Sequence, residues 1–193
     1  EMTKTAPLPR PAATLILVRD AAQGIEVLLL QRQVNAAFGG GAYVFPGGAV
    51  DPADQDEYLA TRCVGMTDSA ASRLFNLERG GLAYWIAAIR ECFEEAGLLL
   101  ACDENNVLPA LEDAGTGKRY AELRRKLNTG EMALAEMCRT HKLRLATDRL
   151  AYFNHWITGP GRPRRFDTRF FIAVAPAAQS PSHDDGETVS NVW

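Results

Sequence analysis

The chain carries three glutamates at the spacing i, i+3 and i+4: Glu91, Glu94 and Glu95. Because an α-helix advances about 100° per residue, this spacing places the three carboxylates on one side of a helix. Neighbouring like charges on a helix repel each other by roughly a few tenths of a kcal/mol per pair. A hard divalent cation such as Mg²⁺, which prefers oxygen ligands, would relieve that repulsion. A solvated acidic surface explains the same three residues, so the flanking sequence has to decide between the two.

These glutamates belong to the most strongly patterned helix of the sequence, which we predict over residues 82–96. Gly97 follows in the position typical of a C-terminal cap. We expect the apolar side of this helix to pack and the acidic side to face outward. Arg90 stands four residues before Glu94, so the two can form an ion pair. The apolar side consists of Leu82, Ile86, Ile89, Phe93 and Ala96.

Short strands are predicted at both ends of the chain, with helices between them. The predicted strands cover residues 13–18, 25–31, 43–45, 98–101, 152–158, 165–174 and 188–193. The other predicted helices lie near residues 56–63, 68–76, 108–127 and 131–142. This order favours an α/β (α+β) fold in which helices flank a mixed sheet. With 193 residues, one domain is expected at 13–193, after a proline-rich lead-in at 1–12.

Composition and charge exclude several classes of protein. The net charge of −3 offers no concentrated positive surface for DNA or RNA, so we expect no nucleic-acid partner. The longest apolar runs are far shorter than the roughly 20 residues that cross a bilayer, so we expect no membrane association. Monomer and homodimer both remain open. The chain has four cysteines and no C-x-x-C pair: Cys63, Cys92, Cys102 and Cys138. We therefore expect reduced thiols and a cytoplasmic location.

Two short motifs identify the family that the chain resembles. Residues 90–98 read RECFEEAGL, which matches the pattern R-E-U-x-E-E-x-G-U of the nudix box, where U is apolar. Upstream, residues 45–48 read FPGG, which matches the loop that opens the same box. Together the two half-boxes are far more specific than a single glycine motif, and the chain therefore resembles the nudix hydrolases.

This resemblance implies a fold, a cofactor and a set of site residues. The nudix fold is a mixed β-sheet sandwiched between α-helices. The expected metal ligands are Glu91, Glu94 and Glu95, together with a backbone carbonyl of Gly47 or Gly48. The expected ion is Mg²⁺, with Mn²⁺ as the alternative. Arg90 would orient the glutamates, which agrees with the ion pair inferred above.

The chain departs from the usual box by an insertion. The family places seven residues between an acidic position and the arginine, whereas 35 residues separate Asp54 from Arg90. About 28 residues are therefore inserted, at approximately 55–81, and either Asp54 or Glu57 is left to meet Arg90. This insertion, together with residues 166–171 (FDTRFF), resembles the coenzyme A diphosphatase subgroup of the family.

A stretch before the glycine loop points to the same subgroup. Its members carry the pattern L-L-T-x-R-S-x₃-R-x₃-G-x₃-F-P-G-G, and residues 28–32 (LLLQR) lead to Gly41 and FPGG at matching spacing. Arg32 and Phe45 are the substrate-binding residues that this implies. However, Gln33 replaces the serine and Ala37 replaces the second arginine. An arginine at that second position would suit a phosphate. A plain core strand followed by a flexible loop explains the stretch about equally well.

Two further groups are candidates for the site. Arg165 and Arg169 belong to the densest basic stretch and could hold phosphates, although a solvated turn accounts for them nearly as well. Glu187 stands six residues before Trp193 in an acidic turn, a spacing that resembles a metal-linked glutamate of some family members. The catalytic residues expected are thus Arg90, Glu91, Glu95 and Glu187, with Glu91 and Glu187 as competing general bases.

The expected function is Mg²⁺-dependent cleavage of a nucleoside diphosphate linked to another group, with coenzyme A or acyl-coenzyme A as the preferred substrate. NADH and ADP-ribose are alternative substrates, and a catalytically inactive nudix binding module is an alternative function. Isomerisation of a prenyl diphosphate is disfavoured, because it requires a catalytic cysteine and clustered histidines. The four cysteines and three histidines of this chain are scattered instead.

Overall fold

The computed structural model describes residues 7–34, 40–183 and 188–193. Two residues singled out from the sequence, Ala37 and Glu187, lie outside this range. The strands are β1 (Arg10–Ala21), β2 (Gly24–Val27), β3 (Leu29–Arg32), β4 (Tyr43–Val44), β5 (Gly47–Ala49), β6 (Ala101–Cys102), β7 (Arg144–Leu145), β8 (Ala151–Ile157), β9 (Phe166–Val174) and β10 (Thr188–Val192). The helices are α1 (Glu57–Thr61), α2 (Asp68–Phe75), α3 (Leu82–Ala96), α4 (Ala114–Asn128) and α5 (Leu134–Thr140), with short 3₁₀ helices at Pro52–Gln55 and Thr147–Arg149.

The main sheet is built around the long strand β1. Its order is β2-β1-β9-β8, and β5 also pairs with β1. β9 runs parallel to β1, whereas β2, β5 and β8 pair antiparallel, so the sheet is mixed as predicted. The register sets Thr14 opposite Gly47 and Ala13 opposite Gly48. The glycine-rich opening loop is thereby fixed to the first half of β1.

Two smaller sheets complete the β structure of the described residues. One has the order β10-β3-β4, and the other pairs β6 with β7. Helix α3 packs against β1 and β5 and also contacts α2, α4 and the 3₁₀ helix Pro52–Gln55. The predicted α+β architecture of a mixed sheet with flanking helices is confirmed. No helix of the described chain is long and apolar enough to span a lipid bilayer.

Helix α3 has the predicted bounds, Leu82–Ala96, and ends at Gly97 in the left-handed conformation, with φ of 69°. The expectation that its acidic side faces outward is wrong. Glu95 is only 9% exposed, and the side chains of Glu91 and Glu94 are 15% and 20% exposed. The helix is covered on this side as well, because β5 and the 3₁₀ helix Pro52–Gln55 pack against it.

The insertion at 55–81 folds into α1 and α2 and supports the start of α3. Phe75 stacks on Trp85 with ring centroids 5.0 Å apart. The Asp68 carboxylate accepts hydrogen bonds of 3.0 Å from the backbone N–H groups of Gly80 and Leu82. Since Gly81 at the helix start has no side chain, Asp68 supplies the cap that α3 would otherwise lack.

Two predicted helices are shorter than expected. The helix expected at 108–127 begins only at Ala114, because the Asp113 side chain accepts a hydrogen bond from the N–H of Thr116 and starts the helix there. The helix expected at 131–142 spans Leu134–Thr140.

The strand expected at 98–101 is also shorter, and it survives only as Ala101–Cys102. Its first part pairs with no strand of the described residues. Instead, the Gln179 amide accepts a hydrogen bond from the Leu99 N–H (2.8 Å) and donates one to the Leu99 carbonyl (3.2 Å). A single buried side chain thus satisfies backbone groups that a strand would otherwise pair.

Candidate active site

A buried arginine organises the acidic residues of the site. The Nε and Nη2 atoms of Arg90 donate hydrogen bonds of 2.9 Å to the two carboxylate oxygens of Asp54. Asp54 is 1% exposed, and it is therefore Asp54 rather than the exposed Glu57 that meets Arg90. Burial disfavours the charged guanidinium, but hydrogen bonding to Asp54 and the nearby carboxylates outweigh this and raise the pKa of Arg90.

Arg90 also holds two of the helix glutamates. Its Nη1 atom donates to Glu91 Oε1 and to Glu94 Oε2, both at 2.9 Å. Its Nη2 atom donates to the carbonyl of Ala49 at 3.0 Å, which ties the helix to β5. The ion pair between Arg90 and Glu94 expected from the sequence is confirmed.

The other two contacts of the site join the glutamates to the glycine loop. Glu95 Oε2 accepts a hydrogen bond of 2.9 Å from the N–H of Gly47. The Glu91 carboxylate lies directly against Gly48, where a Cβ atom would come within 2.4 Å of Oε1. Gly48 therefore leaves the space that the carboxylate occupies, which explains a glycine at this position of the loop.

The charges of this cluster do not balance. Asp54, Glu91 and Glu94 all bind the single guanidinium of Arg90. Burial raises the pKa of Glu91 to about 7, with Arg90 opposing the rise and Glu94 adding to it. Burial likewise raises the pKa of Glu94. A cluster with more carboxylates than cations is the environment in which an additional cation would bind favourably.

A cavity of about 390 Å³ opens beside Glu91 and Glu95. Three residues that the sequence pointed to, Arg32, Phe45 and Gly48, line it. Arg10 also lines the cavity. It was not predicted, because residues 1–12 were expected to be a lead-in, whereas β1 begins at Arg10. The remaining lining residues are Ala12, Thr14, Val44, Gly47, Ala49, Phe166 and Thr168.

Glu94 is separated from this cavity. It lines another cavity of about 610 Å³, together with Arg90, Asp51, Asp54 and Asp56. The structure thus brings Glu91 and Glu95 to one cavity, with Arg32, Phe45 and Gly48, and places Glu94 beside it. The assignment of all three glutamates as metal ligands stays a prediction.

Arg165 and Arg169 do not line the cavity beside Glu91. Arg165 donates hydrogen bonds of 2.9 Å to the carbonyls of Thr158 and Pro7. Arg169 is buried and pairs with Asp167, and its guanidinium lies about 5 Å from the rings of Phe75 and Tyr84. Their assignment as substrate-binding residues also stays a prediction.

The residues present fit a hard divalent cation in their chemistry. Glu91 and Glu95 offer carboxylate oxygens next to a glycine loop that leaves room for them. Within residues 7–34, 40–183 and 188–193, no group of three His, Cys, Asp or Glu side chains is close enough to hold a metal by itself. The metal ligands that the family resemblance implies, among them the Gly48 carbonyl, therefore stay a prediction.

A second arginine, which sequence reasoning did not single out, fixes the end of α3. Arg124 of α4 donates hydrogen bonds to the backbone carbonyls of Glu94 (3.0 Å) and Glu95 (2.9 Å). It also donates to Ser182 Oγ at 2.8 Å. A cation at a helix C-terminus is favourable because it satisfies carbonyls without an intrahelical partner. No local pattern signals this contact, since it joins residues about 30 positions apart.

Comparisons with known proteins place the chain among its relatives. The acyl-coenzyme A diphosphatase NUDT19 of Xenopus laevis is 29% identical over 198 residues, which cover 87% of this chain and 52% of that protein. The protein of the same name from Gallus gallus is 31% identical over 203 residues, with 87% and 53% covered. The chain thus spans about half the length of the curated relatives it matches.

A solved structure and a family model agree with these relatives. The crystal structure of a NUDIX hydrolase from Alicyclobacillus acidocaldarius has a TM-score of 0.73 and 29% identity, and the match covers all of this chain and 80% of that one. The family model for the NUDT19 Nudix domain matches residues 67–193, which include helix α3 and its three glutamates. The chain therefore belongs to the NUDT19 Nudix domain family.

Proposed function

We propose that this chain is a Mg²⁺-dependent hydrolase that cleaves the diphosphate linkage of coenzyme A or acyl-coenzyme A. The observation that carries the proposal is the attachment of two helix carboxylates to the glycine loop: Glu95 to the Gly47 N–H, and Glu91 against Gly48. This attachment presents both carboxylates to a cavity that also contains Arg10 and Arg32. Carboxylates for a cation and arginines for phosphates are the two features that a diphosphatase requires.

The relatives support the choice of substrate. The two NUDT19 proteins described above are named acyl-coenzyme A diphosphatases, and the NUDT19 Nudix domain model matches residues 67–193 of this chain. The 390 Å³ cavity is within the size range of small-molecule sites. A nucleotide-type diphosphate is accordingly the ligand we assign to it.

The proposed roles of the residues follow from their contacts. Arg90 positions the Glu91 carboxylate through a hydrogen bond, and Asp54 fixes the orientation of the Arg90 guanidinium. Glu95 is positioned by the backbone of Gly47. A divalent cation, when bound, supplies neutralisation of the diphosphate charge and acidification of the attacking water. The general base is either Glu91 or Glu187, and the free thiols of the chain suit a cytoplasmic enzyme.

The test is incubation of the purified protein with Mg²⁺ and a panel of substrates, followed by chromatography of the products. The panel comprises coenzyme A, an acyl-coenzyme A, NADH, ADP-ribose, a nucleoside triphosphate and a prenyl diphosphate. We expect coenzyme A to yield adenosine 3′,5′-bisphosphate and 4′-phosphopantetheine, and Glu95→Gln to abolish this turnover. Cleavage of NADH or ADP-ribose in its place would reassign the substrate, and cleavage of none would favour a binding module.

A further inference from the structure

We propose that Arg10 binds a phosphate monoester of the substrate that is separate from the diphosphate being cleaved. This inference rests on the proposed function and refines its substrate class. In coenzyme A the corresponding group is the 3′-phosphate of the ribose. Arg10 would therefore select substrates that carry this additional phosphate over those that lack it.

The strand places Arg10 in the same cavity as the carboxylates. Arg10, Ala12 and Thr14 alternate along β1, so they share one face of the strand, and all three line the cavity beside Glu91 and Glu95. The backbone N–H of Arg10 is held by a hydrogen bond of 2.9 Å to the carbonyl of Arg165. The base of this side chain is therefore fixed, while its guanidinium is exposed.

The register separates Arg10 from the reacting end of the cavity. The strand residues level with Gly48 and Gly47 are Ala13 and Thr14, three and four positions after Arg10. At a rise of about 3.3 Å per residue, this offset is about 10–13 Å along β1. A diphosphate held next to Glu91 and Glu95 would thus lie at one end of the cavity, and a phosphate bound to Arg10 would lie at the other.

Within the part of the chain that the structure describes, the guanidinium of Arg10 differs from its neighbours in having no charge partner. Among the described residues it makes no ion pair or side-chain hydrogen bond, whereas Arg90, Arg165 and Arg169 are all engaged within the protein. An arginine in a concave site without an internal partner can form two parallel hydrogen bonds to a phosphate. Phe166 pairs with Arg10 across the sheet and also lines the cavity, so apolar surface for the rest of the nucleotide lies beside the cation.

Binding of two product-like nucleotides tests this inference without any need for turnover. Isothermal titration calorimetry would compare adenosine 3′,5′-bisphosphate with adenosine 5′-monophosphate on the intact chain, on Arg10→Gln and on Arg10→Lys. We expect the unmodified chain to prefer the bisphosphate by about tenfold or more. Arg10→Gln should remove this preference, and Arg10→Lys should restore part of it, because lysine keeps the charge but not the two-bond geometry.

The control is Arg79→Gln, since Arg79 is exposed and lies outside this cavity. This variant should keep the full preference for the bisphosphate. Circular dichroism should show that every variant is folded. A bisphosphate preference that persists in Arg10→Gln, or that is absent from the unmodified chain, would overturn the inference. A kinetic test then compares KM for coenzyme A with KM for its analogue lacking the 3′-phosphate. Arg10→Gln should raise KM for coenzyme A and leave KM for the analogue unchanged. If neither compound is cleaved while the binding preference still depends on Arg10, the proposed function fails and the phosphate site stands.

Discussion

Asp54 and Arg90 are joined by two parallel hydrogen bonds of 2.9 Å although 35 residues lie between them in the chain. The insertion therefore leaves the contact between Asp54 and Arg90 intact, because the chain returns to Asp54 after the inserted residues. Arg90 in turn holds Glu91 and Glu94. The geometry of the acidic side chains thus depends on a residue that precedes the whole insertion.

The first prediction concerns this pair. Asp54→Ala should lower the free energy of unfolding by about 3 kcal/mol, because it leaves a largely buried guanidinium without its two-bond partner. Urea denaturation followed by circular dichroism measures the change. Glu57→Ala is the matched control, since this carboxylate is exposed at the start of α1, and its effect should stay within about 0.5 kcal/mol. Equal losses in the two variants would show that the Asp54 contact contributes little.

The second prediction concerns Gly48. In Gly48→Ala the new Cβ would meet the Glu91 carboxylate at 2.4 Å, and a flexible side-chain end can move away without unfolding the protein. We expect a nearly unchanged unfolding midpoint and a fall in kcat/KM of up to about 100-fold, because a displacement near 1 Å misplaces the carboxylate. Gly159→Ala, where a Cβ meets nothing within 4 Å, should change neither quantity. Full activity of Gly48→Ala would remove Glu91 from the site.

The third prediction concerns the role of the insertion. Asp68→Ala should destabilise the protein by about 1–2 kcal/mol, because the N–H groups of Gly80 and Leu82 lose their acceptor at the start of α3. Asp68→Asn keeps an acceptor oxygen and should lose less. Glu78→Ala in the same insertion serves as the control, since Glu78 is exposed. Thermal unfolding would contradict the capping role if Asp68→Ala and Glu78→Ala had the same midpoint.

The sequence predicted those features that local patterns encode. Helix α3 has the predicted ends because apolar periodicity and Gly97 define it, and the approach of its glutamates to the FPGG loop follows from the nudix box. The contacts that were missed all depend on distant parts of the chain. Arg124 reaches α3 from α4, Gln179 replaces a strand partner for Leu99, and Arg10 enters the cavity through its pairing with β9.

The inward orientation of the glutamates was mispredicted for the same reason. An acidic stripe on an isolated amphipathic helix favours solvent, and nothing local to α3 indicates that β5 and the 3₁₀ helix Pro52–Gln55 cover it. The burial of these carboxylates comes from the loop that pairs with β1. Burial, which raises the pKa values of Glu91 and Glu94, is therefore the feature that the sequence did not predict.

In the proposed mechanism, Glu91 and Glu95 bind a divalent cation at the glycine loop. Titration of Mn²⁺, with the free ion followed by electron paramagnetic resonance, tests it directly on the intact chain, Glu91→Gln and Glu95→Gln. Glu136→Gln is the control, because Glu136 is exposed on α5. We predict that both site variants bind Mn²⁺ about tenfold more weakly or worse while remaining folded and that the control binds normally. Unchanged Mn²⁺ affinity in Glu91→Gln and Glu95→Gln would show that these carboxylates do not bind the cation.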